Sequence, residues 1–186
     1  MNTASTTRHR RGKLPLVVAL SLALVMAPVL LPSALAYTHH GARWQGTNIS
    51  WAEGGGDFSG NVGSALGPAA SSWNPNTDVT LTKSTVASLT AVTYYSATDG
   101  LNGKAQWTTS NGYFTGCYAS VNRSNVASWA VNKIRAVWTH EFGHCLGLGH
   151  TTSIAIMTGS GTNVQYDAYG IYTPQTDDRN GINARY

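Results

Sequence analysis

Apolar residues along this chain keep two rhythms, and the switches between them outline an α+β domain. Residues 47–52 predict a first strand, and Gly54, Gly55 and Gly56 the loop after it. Residues 62–73 are rich in Ala and Ser with a helical apolar spacing, which Gly67-Pro68 should interrupt. Residues 79–82 and 89–95 alternate or run apolar, as strands do. So do residues 113–121, where Gly116 suits a bulge. A long helix is expected over 129–146, turning Trp129, Ile134, Val137 and Trp138 to the core. Thr173-Pro174 predicts the start of a last helix, a hydroxyl cap followed by proline at the first position. Asp177 and Asp178 then fall in the first turns, where the helix dipole favours anions. The order implies a mixed twisted sheet with two helices beneath it and a small irregular part after residue 150.

The first 36 residues stand apart. A basic stretch over 8–13 precedes an apolar run over 14–31, and Ala34-Leu35-Ala36 fits a cleavage signal. We expect a signal peptide over 1–36 and a single secreted domain over 37–186. The rival is a membrane anchor, but Pro15, Pro28, Pro32 and the small-residue site favour export without later membrane association. Removing this segment removes the charge. The formal +4 resides in Arg8, Arg10, Arg11 and Lys13, and residues 37–186 balance eight basic against eight acidic side chains. With no basic patch, stacking platform or phosphate loop, a nucleic-acid partner is disfavoured. Two cysteines, Cys117 and Cys145, suggest a disulfide in an exported chain, two buried free thiols being the alternative.

The chemistry concentrates in His140-Glu141-Phe142-Gly143-His144-Cys145-Leu146-Gly147-Leu148-Gly149-His150. Residues four apart share a helix face, so His140 and His144 can offer imidazoles to one metal. Glu141 can reach a water on that metal. Gly147 can take the left-handed conformation that ends the helix and brings His150 back as a third ligand. Three protein ligands with a fourth position left to water is the pattern of a catalytic zinc. Chance would assemble these five positions in roughly one chain of this composition per 10^5. A satisfied histidine pair with an unrelated third is therefore the weaker reading.

These residues resemble the metzincin zinc endopeptidases. Ile156-Met157 resembles the family's Met-turn, in which the thioether lies beneath the zinc histidines. Asp177-Asp178-Arg179-Asn180-Gly181-Ile182 resembles the C-terminal helix of the matrixin branch, and Gly159, where other branches carry a tyrosine ligand, points the same way. The resemblance implies a metzincin-like zinc protease domain with motif helix, Met-turn and C-terminal helix. It implies peptide-bond hydrolysis with Glu141 as general base, one Zn2+ on His140, His144 and His150, and structural support from Met157 and Gly147.

Its finer implications are equally specific. No cysteine lies upstream of the motif domain, so cysteine-switch latency is not expected. Outside the motif, residues 37–186 offer only His39 and His40, so a second, structural zinc is not expected either. Ca2+ stays open, since Asp57, Asp78, Asp99 and Asp167 lack a specific calcium signature. A monomer acting on extended polypeptides is expected, with residues 113–121 as the edge strand that receives substrate. Tyr166 and Tyr169 are candidate pocket walls, ordinary loop packing being the alternative. The ammonium of a mature Tyr37 could pair with Asp177 or Asp178, against a frayed terminus. Two other functions share these ligands: a secreted binding module with an idle zinc, and a zinc hydrolase of non-peptide bonds.

Overall fold

Strands β1 (Asn48–Glu53), β2 (Thr80–Lys83), β3 (Leu89–Tyr94), β4 (Gly103–Ser110) and β5 (Tyr113–Asn122) build a twisted sheet in the order β2-β1-β3-β5-β4. This computed structural model describes Met1 and residues 36–159 and 164–186. The expected signal peptide lies almost wholly outside the described residues. The pairings β1–β2, β1–β3 and β3–β5 are parallel, and only β4 runs antiparallel to its neighbour β5. The sheet is thus mixed, as expected.

One face of the sheet is covered by α1 (Asn61–Ser71) and α3 (Val131–Cys145). Burial along β3 alternates strictly, with Leu89 and Ala91 inward, as a sheet with one covered face requires. Leu66 and Trp73 meet Trp138 and Phe142 in the layer between sheet and helices, all fully buried. The short helices α2 (Arg123–Val126) and α4 (Val164–Tyr169) and the terminal α5 (Thr176–Asn183) complete the fold.

Four differences from the sequence reading have physical causes. Helix α1 runs through Gly67-Pro68, because burial of Leu66, Ala69 and Ala70 outweighs the backbone bond lost at Pro68. Helix α3 starts at Val131, two residues later than expected, after Ala130 in an extended conformation. Helix α5 starts at Thr176 rather than Pro174: Asp178 reaches back to the Gln175 amide at 2.6 Å and fixes Gln175 as the cap. Most consequential, residues 113–121 are not an edge. β5 lies between β3 and β4, and β4 forms the edge. The hairpin joining β4 to β5 turns at Asn111-Gly112, both with positive φ (50° and 78°), as tight hairpin turns need. Its bulge leaves Thr115 unpaired, next to Gly116.

Cys117 on β5 and Cys145 at the end of α3 are disulfide-bonded, with Cα atoms 5.6 Å apart. The bond closes a loop with a sequence separation of 28 and ties the sheet to the helix carrying the histidines. Replacing both cysteines by alanine should lower unfolding free energy by about 3–4 kcal/mol, through loop entropy regained by the unfolded chain. Urea unfolding of the double variant measures this, and a change below 1 kcal/mol would contradict it.

Candidate active site

His140 and His144 project from one face of α3, which ends in a tight reversal. The Leu148 amide donates to the Gly143 carbonyl at 3.0 Å and the Gly147 amide to the His144 carbonyl at 2.9 Å, with Gly147 at φ 97°. The reversal returns the chain so that one ring nitrogen from each of His140, His144 and His150 lies within 4.8 Å of the others. Among the described residues no other group of three His, Cys, Asp or Glu side chains is placed to share a metal.

The three histidines fit a zinc ion by more than proximity. His140 Nδ1 lies 2.7 Å from the Ile156 carbonyl and His144 Nδ1 2.8 Å from the Leu148 carbonyl. Each carbonyl accepts a hydrogen bond from Nδ1–H, which keeps the proton on Nδ1 and leaves the Nε2 lone pair for a metal. Burial lowers the pKa of His140 to about 4, against a partial offset from the Ile156 carbonyl. Burial, then the charge of His140, lowers that of His144 to about 2. Both rings are therefore neutral and ready to ligate at neutral pH.

Glu141 is 5% exposed, and its Oε2 is buried without a hydrogen-bond partner. Burial pushes its carboxyl up to about 8. A folded-state pKa above the ordinary 4.5 contributes stability below pH 4.5 that is lost as pH rises through about 8. Metal-free protein should accordingly lose stability from this group, on the order of 1 kcal/mol, between pH 6.5 and 8. Glu141→Gln should flatten that slope in urea titrations at the two pH values, and an unchanged slope would refute the assignment.

Beneath the histidines, Gly143 leaves room for Met157, because a Cβ there would collide with the Met157 sulfur. The turn carrying Met157 is pinned by Asp178, whose carboxylate accepts from the Ile156 amide at 2.9 Å and the Met157 amide at 3.0 Å. Asp177 faces the other way. It accepts from the Ala36 amide at 3.3 Å and the Thr151 hydroxyl at 2.8 Å, so the N-terminal segment meets Asp177 and not Asp178.

That segment is part of the site, which the sequence did not reveal. His39 bridges to Leu148, the Gly149 amide donates to the Thr38 carbonyl at 2.8 Å, and the Thr38 hydroxyl donates to the His150 carbonyl at 2.6 Å. His40 lies with Nε2 3.1 Å from His144 Nδ1 and its ring 4.6 Å from that of Trp107. His39 instead contacts the Gly181 carbonyl.

A cavity of about 390 Å³ opens over the three histidines and Glu141, between β4 and α3. Val137, Ile156 and Tyr166 line it, together with Gly103, Ala105 and Trp107 of β4. Tyr169, a candidate wall, is 56% exposed and takes no part in the lining. Three of the four aspartates considered for calcium are ion-paired, Asp57 with Arg123, Asp99 with Lys104 and Asp167 with Lys133, and among the described residues none of the four joins a group of three side chains placed to share a metal.

Two helix histidines, a third beyond a glycine reversal and a methionine beneath them, under a mixed sheet, define a metzincin-type domain. The family model described as Matrixin matches residues 64–186, and the chain belongs to that family of zinc-dependent metallopeptidases. Among curated proteins none matches it.

Proposed function

We propose that this chain is a secreted zinc endopeptidase that cleaves extended polypeptides, with His140, His144 and His150 holding one ion and Glu141 as general base. The Glu141 carboxylate carries the reading. It is buried, lacks a partner for Oε2, and shares a cavity with all three histidines. A binding module with an idle metal has no use for such a group.

A zinc ion at the triad supplies a polarised water and a Lewis acid for the scissile carbonyl. Glu141 accepts the water's proton during attack and passes it to the leaving amine. Burial raises the Glu141 pKa, and an ion held by His140, His144 and His150 would oppose that rise and favour the carboxylate able to accept a proton. The Ile156 and Leu148 carbonyls keep the His140 and His144 rings oriented throughout. Substrate adds as a further strand along the outer edge of β4, with the side chain beside the scissile bond against Val137, Ile156 and Tyr166. Export follows from residues 1–36, and the Cys117–Cys145 bond suits an oxidising compartment.

The test is digestion of unfolded casein by the purified zinc-loaded protein, counting new amino termini. Cleavage that a chelator abolishes and zinc restores is the expected result. Folded, zinc-loaded protein that forms no new amino termini would shift the assignment to an idle site or to non-peptide substrates.

A further inference from the structure

The loop between β3 and β4, residues 95–102, carries the chain from the interior of the sheet to the edge strand beside Glu141. It is gathered mainly around one side chain, with Asn125 Nδ2 adding a bond to the Leu101 carbonyl at 2.8 Å and Lys104 lying 3.8 Å from Asp99. Asn122, at the end of β5, is fully buried. Its two Nδ2 protons are shared among the Ser96 carbonyl at 2.7 Å, the Leu101 carbonyl at 3.0 Å and Asp99 Oδ1 at 3.1 Å. Its Oδ1 accepts from the Ser96 amide at 3.0 Å and the Ser124 amide at 3.1 Å. The Asn122 amide also donates to the Asn102 carbonyl at 2.8 Å.

Three oxygens from three loop residues converging on one point is how a loop wraps a hard cation. Here the point is occupied by a carboxamide NH2, and Asp99 takes the Leu101 amide at 3.1 Å as well. The contact with catalysis lies one residue further on. A Cβ on Gly103 would stand 2.7 Å from Glu141 Oε1 and 2.9 Å from its Cγ, so the β4 backbone forms the wall against which the carboxylate rests. Moving residues 101–103 moves that wall.

We infer that Asn122 is a positioning residue for Glu141: its carboxamide stands in for a loop cation, closes residues 96–102, and so sets Gly103 against the catalytic carboxylate without calcium. The inference rests on the proteolytic reading for its kinetic part, and its calcium part is read without any activity.

The variants are N122D and D99N, studied as zinc-loaded protein. N122D puts an oxygen where the NH2 was, facing the same three oxygens, one of them a carboxylate. That arrangement is repulsive until a divalent cation enters it. N122D should melt lower than wild type in calcium-free buffer and recover most of the difference in millimolar calcium, whereas wild type shifts by less than 1 °C. In calcium-free buffer kcat of N122D on a casein-derived peptide should fall at least tenfold with KM changed less than threefold, zinc content remaining at one per chain. Calcium should restore kcat. D99N keeps the shape and removes one charged acceptor, so it should fold and lose kcat severalfold with unchanged zinc. A merely structural residue would lower the melting temperature and leave kcat of the folded, zinc-loaded enzyme unchanged, and that result overturns the inference. So does N122D that calcium does not stabilise, or wild type that calcium stabilises by several degrees. If wild type cleaves no peptide, the proteolytic reading fails while the melting data still decide the role of the carboxamide.

Discussion

Glu141→Gln should abolish nearly all peptide hydrolysis and leave the metal in place. The substitution keeps the size of a side chain that is 5% exposed and packed against Gly103, so the cavity keeps its shape. It also spares the ligands, whose rings are oriented by the Ile156 and Leu148 carbonyls and not by Glu141. What disappears is a group able to accept a proton. General-base contributions of this kind are worth about 10²–10⁴ in rate, so kcat should fall by that factor with zinc still at one per chain. His144→Ala should instead lose both activity and metal, because two nitrogen ligands bind zinc far more weakly than three. Metal analysis beside peptide kinetics separates the two outcomes. Glu141→Gln with wild-type turnover would end the general-base assignment.

Asp178→Ala should cause a large loss of stability for a polar position. Its buried carboxylate takes the amides of Ile156, Met157 and Gln175. Burial raises its pKa, and those three amides work against the rise. Alanine would leave all three donors without their acceptor, at a cost of about 1 kcal/mol or more each. A total near 3 kcal/mol corresponds to a fall of roughly 6–12 °C in melting temperature for a chain of this size. Function should follow, because the turn so pinned carries Met157 beneath the histidines and the Ile156 carbonyl that orients His140. Calorimetry of the zinc-loaded variant decides it, and a shift of less than 3 °C would show that the amides find other partners.

The grouping of the three histidines was legible in the sequence because it is local. A helical turn and one glycine reversal bring together everything between His140 and His150, and both devices have sequence signatures. Strands β1, β2, β3 and β5 were legible for a similar reason, since their apolar residues meet the helices. β4 was not: its residues, Gly-Lys-Ala-Gln-Trp-Thr-Thr-Ser, are partly to fully exposed and offer no apolar alternation. Backbone pairing with β5 holds it there. The Asn111-Gly112 pair was the available signal, a hairpin turn directly before a recognised strand. Missing it displaced the expected edge strand by one.

The remaining parts of the site depend on long-range contacts that no local pattern encodes. His40 reaches the cleft because residues 38–40 pair with the loop after α3, more than a hundred positions away. Asn122 gains its place from three carbonyl and carboxylate oxygens 21 to 26 residues earlier. In the sequence each is one more polar residue. Asp178 shows the intermediate case: the acidic pair in the last helix was visible, but its grip on the turn below the histidines required the structure.

The central claim is that one zinc on three histidines, with Glu141 beside it, cleaves peptide bonds. Titrating zinc into metal-free protein while following casein cleavage tests it most directly. Activity should rise in proportion to added metal and level off at one equivalent per chain. Full loading without cleavage, or cleavage by the metal-free protein, would contradict the account.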